Sequence, residues 1–186
     1  MRIIAGKYKN RAIATPPGLI TRPLLSRIRK SLFDILQPYL SGARVLDLFS
    51  GTGILALEAL SRGAAYALSI EADFNALQTA KSNHEHICPQ ESYRLIRGDV
   101  LLILPKLAMS EKAFDIIGVT PPYGQGLVDA ALKVLEQCPS LIHKETIFYT
   151  QRDAHEEIQL DWPYLEHVRT KEYGRTVFEF FLPKTE

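Results

Sequence analysis

The sequence predicts an α/β fold: a mostly parallel sheet with helices on both faces. Three observations carry this. From Arg44 onward, strand-like and helix-like segments alternate. The apolar run Val45-Leu46-Asp47-Leu48-Phe49 passes through Ser50-Gly51-Thr52-Gly53 straight into a helical stretch. The last two strand-like segments follow one another through Tyr173-Gly174, with no helix between them, so an antiparallel pair should close the sheet.

The elements follow in order. Residues 2–15 place Ile3, Ile4, Tyr8 and Ile13 irregularly around Gly6 and Asn10, which fits a small hairpin or an extended arm. Thr15-Pro16-Pro17-Gly18 breaks it, and Pro23 suits the first turn of a helix. Ile28, Leu32, Ile35 and Leu36 then repeat at helical spacing, with Arg27 and Lys30 off the stripe, until Pro38 and Ser41-Gly42. Residues 1–40 are therefore read as an N-terminal extension and 41–186 as the main domain. Strands are expected at 44–49, 66–71, 93–97, 114–119, 146–150, 165–171 and 176–182. Helices are expected at 53–62, 74–84, 100–108 and 127–137.

The chain of 186 residues, 46% hydrophobic, is long enough for one domain with a real core. No apolar run approaches the ~20 residues needed to cross a membrane, and the first residues lack an apolar signal core, so a cytoplasmic protein is expected. Cys88 and Cys138 stand alone, and His84-x-His86 has no completing ligands, so no metal site is expected. Net charge is only +1, but residues 1–44 carry nine Lys/Arg against the single acid Asp34. A basic arm on an acidic body is an electrostatic footprint for nucleic acid, although a solvated basic surface would look the same.

In such folds ligands bind beyond the carboxyl ends of the strands. Asp47 with Phe49, Ser50, Gly51, Thr52 and Gly53 lies at the first of these ends. The glycines let backbone approach a ligand, and the helix start offers free N–H groups. Gly51-x-Gly53-x-x-Ala56 also satisfies the loose dinucleotide fingerprint. Asp47 argues against a dinucleotide, because a carboxylate there repels a diphosphate and attracts a sulfonium and an ammonium. The ligand carrying both is S-adenosylmethionine. Glu71 ends the second strand and can accept both ribose hydroxyls, or serve as a helix-start acid. Asp99 can accept from an adenine amine with Val100 against the ring, or simply cap the next helix. Thr120-Pro121-Pro122-Tyr123 ends the fourth strand. Its prolines fix an extended turn, and its carbonyls and aromatic face suit the exocyclic amine of a planar base; an ordinary strand-ending turn is the alternative. Trp162 and Tyr164 read as packing residues.

Met-Arg-Ile-Ile-Ala-Gly-Lys-Tyr-Lys-Asn-Arg, Thr21-Arg22-Pro23, Arg27-Ile28-Arg29, Leu32-Phe33-Asp34-Ile35-Leu36, the glycine turn, Leu57 to Ala64 and Pro121-Pro122-Tyr123 together resemble the bacterial 16S ribosomal RNA guanine-N2 methyltransferases of the RsmD type. The resemblance covers nearly the whole chain. It implies a Rossmann-like class I methyltransferase fold with seven strands, S-adenosylmethionine as donor, and one guanine of 16S rRNA, as the RNA itself or in a small-subunit assembly particle, as substrate. It implies Lys7, Lys9, Arg11, Arg22 and Arg27 on phosphates, and a monomer is expected. Four positions depart from the family pattern. Thr120 stands where the family has Asp or Asn, Ser26 and Lys30 replace an Asp and a Glu, and Arg175 replaces an Asp. Thr120 keeps open a catalytically weakened RNA-binding or ribosome-assembly factor, and the Pro121-Pro122-Tyr123 loop keeps open an adenine-N6 nucleic-acid methyltransferase.

Overall fold

The computed structural model describes residues 1–15 and 26–185. Arg22, with the Thr21-Arg22-Pro23 helix start, lies outside the described residues. Among these residues the elements run α1 (Ser26–Leu36), β1 (Arg44–Leu48), α2 (Ile54–Ser61), β2 (Tyr66–Glu71), α3 (Phe74–Ile87), β3 (Tyr93–Arg97), α4 (Val100–Leu107), β4 (Phe114–Val119), α5 (Leu127–Glu136), β5 (Ile142–Asp153), β6 (Leu165–Tyr173) and β7 (Thr176–Pro183). Short 3-10 turns follow α1 and α5.

The seven strands form one sheet in the order β3-β2-β1-β4-β5-β7-β6. β1 to β5 are parallel, and β7 is antiparallel to both β5 and β6. The order reverses at β1 and β4, which is where such sheets open a crevice at the strands' carboxyl ends. Along β1 the side chains alternate between faces. Val45 joins the core under α1 and α2, while Leu46 and Leu48 join the core under α4 and α5. That alternation puts Asp47 on the α2 side. Both edge strands carry exposed charges, Arg94 and Arg97 on β3 and Glu166, Arg169 and Glu172 on β6, which discourage pairing with another sheet.

The expected strand 146–150 is longer than its apolar run. β5 takes in Ile142 to Asp153, because Phe114 of β4 pairs with Ile142 across a register shift and β7 pairs with Gln151 to Asp153, which β4 no longer reaches. Helix α3 likewise continues to Ile87, three residues past the expected end.

Residues 1–13 form a short antiparallel hairpin with an Arg2–Ala12 bridge. It is not a free arm. Ile3, Tyr8 and Ile13 are buried in the same core as α1 and α2. The hairpin is fastened by Glu58, an acid in the otherwise apolar helix α2. Glu58 is fully buried and accepts from the backbone N–H groups of Ile4 at 2.9 Å and Ala5 at 3.1 Å, and from Arg62 Nε at 3.0 Å. The buried Arg29 of α1 lies 3.7 Å away on its other side and donates to the Arg2 carbonyl at 2.6 Å. Burial lowers the Arg29 pKa, with Glu58 opposing that. Ser61, one turn on, accepts from Tyr8 N–H at 3.0 Å and donates to the Ala5 carbonyl at 2.6 Å. Gly6 is obligatory here: its φ is +83°, and a Cβ would overlap the Ser61 carbonyl.

Removing one partner of a buried ion pair strands the other charge. Glu58→Ala is therefore expected to cost about 3–5 kcal/mol of unfolding free energy, read by urea denaturation, with a larger loss than Lys30→Ala, which breaks only an exposed pair with Asp34.

Candidate donor and acceptor site

β1 ends in a tight turn whose backbone angles are unusual. Phe49, Gly51 and Gly53 all lie in the left-handed region, at φ of 65°, 55° and 75°. Phe49 is not a glycine, so strain is concentrated at this one place. Ser50 N–H donates to Ile70 at 3.1 Å, and Gly53 N–H donates to Ser50 at 2.9 Å, so the turn hangs between β1 and β2 and opens into α2. Gly53 has a second constraint, because a Cβ there would stand 2.8 Å from the Tyr93 hydroxyl.

Asp47 lies beneath this turn with no exposed surface. Its Oδ2 is 3.5 Å from the Ser69 hydroxyl, which accepts from the Tyr93 hydroxyl at 2.9 Å, so a polar chain crosses the sheet from β3 to β1. Its Oδ1 has no partner, and neither does the buried Ser50 Oγ. Two unpartnered buried oxygens at the foot of a glycine turn fit a ligand with donors or positive charge. Burial pushes the Asp47 carboxyl up to about 7, and Glu71 adds to the rise, while the Ala56 N–H and Ser69 hydroxyl oppose it. On the far side of Asp47, the Tyr149 hydroxyl fills the space over Gly118, where a Cβ would collide with it.

Glu71 stands at the end of β2, half-buried. It accepts from Gly51 N–H at 2.7 Å and from Asp73 N–H at 2.8 Å, which leaves lone pairs on each oxygen for a hydroxyl. Thr52 is buried in the same turn. Its carbonyl accepts from Asn83 Nδ2 at 3.1 Å, and Asn83 also pairs both ways with the Ala14 backbone, at 2.9 and 3.1 Å. Asn83 thus links the turn to the N-terminal hairpin, a role its place in a polar helix does not announce. Asp99 caps α4 by accepting from Leu101 N–H at 2.8 Å and is exposed, with Val100 buried beside it.

Thr120 follows β4 at the same end of the sheet. Its N–H and its hydroxyl both face the Leu48 carbonyl, at 3.4 and 3.3 Å, so the loop is tied to the residue after Asp47. Because the hydroxyl proton points at Leu48, the Thr120 oxygen keeps its lone pairs for a donor on a ligand. Pro121 is buried, Pro122 is exposed, and Tyr123 is 40% exposed.

The basic residues are less uniform. Lys7 pairs with Glu91 at 2.9 Å, and Arg11 donates to the Ile87 carbonyl at 2.6 Å. Both also lie over the Tyr8 ring. Lys9 and Arg27 are exposed and make no side-chain hydrogen bond with the described residues. Trp162 is buried, donating to the Gln159 carbonyl at 2.8 Å, and Tyr164 donates to the Leu132 carbonyl at 2.6 Å; both are packing residues. Among the described residues no cluster of His, Cys, Asp or Glu is arranged to hold a metal, and no helix is long and apolar enough to cross a membrane.

The family model described as conserved hypothetical protein 95 matches residues 1–182. The chain is 36% identical to the ribosomal RNA small subunit methyltransferase D of Escherichia coli K12 over 156 residues, which is 83% of this chain and 75% of the relative. The protein of that name from Buchnera aphidicola of Acyrthosiphon pisum is 34% identical, covering 84% of this chain and 80% of its own. The yhhF protein of Escherichia coli, a provisionally assigned methyltransferase, superposes with a TM-score of 0.85 at 28% identity, over 100% of this chain and 99% of its own.

The raised Asp47 carboxyl has a testable sign. The native state holds a proton that the unfolded state releases near pH 4, so this group favours folding below its native value and loses that contribution as pH rises toward about 7. Asp47→Asn is expected to raise the melting temperature at pH 8 and to flatten the fall in stability between pH 5 and 8, read by calorimetry. A cationic ligand needs the ionised form, so its Kd in the native protein should rise up to about tenfold per pH unit below 7, read by titration calorimetry with S-adenosylmethionine.

Proposed function

The chain belongs to the conserved hypothetical protein 95 family, and on that premise we propose that it is an S-adenosylmethionine-dependent methyltransferase that modifies the exocyclic N2 amine of a guanine in 16S rRNA during small-subunit assembly in the cytoplasm. One observation supports this most directly. The Thr120 loop is hydrogen-bonded to Leu48, so an acceptor for an amine sits beside the buried, half-satisfied Asp47. The names and identities of the relatives support the RNA substrate.

In this reading Asp47 meets the donor's ammonium group. Phe49, Ser50, Gly51, Thr52 and Gly53 offer backbone around it, Glu71 takes the ribose hydroxyls, and Asp99 with Val100 takes the adenine. S-adenosylmethionine supplies an electrophilic methyl group on a positively charged sulfur. The chain's own task is to hold the nucleophile, because a guanine N2 lone pair is delocalised and the amine reacts poorly unless it is positioned. Thr120 Oγ1 accepts one amine N–H, its own proton being directed to Leu48. The Pro121 carbonyl accepts the other, Pro122 keeps the turn extended, and Tyr123 offers its ring to the base.

The first 40 residues are the RNA-facing part, with 41–186 carrying the chemistry. Lys9 and Arg27 supply phosphate contacts directly, and Arg22 belongs to the same set. Lys7 and Arg11 contribute from within their pairings. The charged sheet edges support a monomer.

Two measurements test this. Labelled S-adenosylmethionine with small-subunit rRNA, or with assembly particles lacking the modification, should give N2-methylguanine on nucleoside analysis. Asp47→Ala should abolish the product, and Thr120→Val, which keeps the shape and removes the acceptor, should slow it about tenfold or more. A silent wild type that becomes active as Thr120→Asp favours the binding-factor reading, and N6-methyladenine as product favours the adenine reading. Separately, Lys9→Glu and Arg27→Glu should each reduce the salt slope of RNA binding by about 1. Point variants are needed because deleting the hairpin would also remove core residues. An unchanged slope removes these two residues from the RNA interface.

A further inference from the structure

We infer that Gln151 is a positioning residue for the acceptor loop: it holds the Tyr123 ring by a hydrogen bond and leaves the tyrosine's own proton free for the RNA around the substrate base. This rests on the proposed methyl transfer to a planar base. Gln151 Nε2 donates to Tyr123 Oη at 2.6 Å.

The two ends of that bond differ in rigidity. β5 pairs with β4 up to Thr150, opposite Val119, and then runs on for three residues. Gln151 is the first of these. Its backbone is fixed on the other side by β7, where it faces Phe178, and Arg152 and Asp153 continue the ladder opposite Val177 and Thr176. Phe178 and Val177 are buried, so the post on which Gln151 stands is part of the core.

Tyr123 stands on the loop between β4 and α5. The prolines constrain the side before it, but Gly124 and Gly126 follow at φ of 73° and 64°, a stretch with little intrinsic stiffness. An aromatic ring 40% exposed on such a loop would sample several rotamers. The Gln151 bond selects one, and so fixes the plane against which a base can lie.

The direction of the bond matters as well. An amide N–H occupies one lone pair of the phenol oxygen, and the phenolic proton cannot point back along that bond. It is directed away from Gln151, where it can donate to an acceptor of the RNA beyond the edge of the stacked base, such as a sugar or phosphate oxygen.

The test uses the full-length protein with 3-fluorotyrosine at position 123. Without substrate, fluorine NMR should show one ring environment in the wild type, which moves toward the solvent-averaged position in Gln151→Ala. In methyl-transfer assays Gln151→Ala should lower kcat about fivefold to tenfold, with the KM for S-adenosylmethionine unchanged. The double variant with Tyr123→Phe should lose no more than Tyr123→Phe alone. Gln151→Glu, whose carboxylate can only accept, should keep the ring fixed and still lose kcat, because it turns the phenolic proton inward. An unchanged fluorine spectrum in Gln151→Ala, additive losses in the double variant, or full activity in Gln151→Glu would each overturn the inference. A wild type that transfers no methyl group sinks the methyltransferase reading instead, and the fluorine spectrum still decides whether Gln151 holds the ring.

Discussion

Everything at the amino-terminal side of the sheet depends on burying one negative charge. Glu58 is enclosed in α2, a helix whose other residues are apolar or small, and it is tolerable there only because backbone N–H groups and arginines surround it. Those groups come from three parts of the chain. The hairpin supplies two N–H groups, α1 supplies Arg29, and the end of α2 supplies Arg62. One carboxylate therefore sets where the hairpin and α1 can sit. It also fixes the axis of α2, and the amino end of α2 is the turn above Asp47. The geometry of that turn is tied to a buried charge about one helical turn further on.

The site itself works with charges of the same sign. Burial makes ionisation of Asp47 harder, and the nearby Glu71 adds to the effect. A buried carboxylate with an unpartnered oxygen is costly to keep in an empty protein. A positively charged ligand relieves both penalties together. This arrangement favours cations and disfavours the diphosphate that an otherwise similar glycine turn would accept, so a single acid separates two ligand classes that the glycine spacing leaves together.

Much of this was legible in the sequence because it depends on neighbours along the chain. The strand–turn–helix around Gly51 and Gly53, the alternation of elements, and the acids at strand ends are all local patterns, and they appear where expected. What depends on register across the sheet was not legible. Nothing near Asp47 in the sequence points to Ser69 and Tyr93. β5 could not be seen to outrun β4, since its last residues are polar and only β7 holds them. The charge asymmetry of residues 1–44 was real but suggested a freer arm than the fold contains, because Ile3, Tyr8 and Ile13 follow no regular period. Glu58 did leave a trace, as a lone charge in an apolar helix.

The contact between Gly118 and Tyr149 also restricts how this protein can change. A methyl group at position 118 would need the space that the phenol hydroxyl already fills. Enlarging 118 first breaks the middle of the sheet, whereas shortening Tyr149 first opens a void that a larger residue at 118 can later occupy. Single-step paths between the two solutions are therefore passable in one order only. A lineage that has adopted the glycine–tyrosine pair must leave it through the tyrosine first.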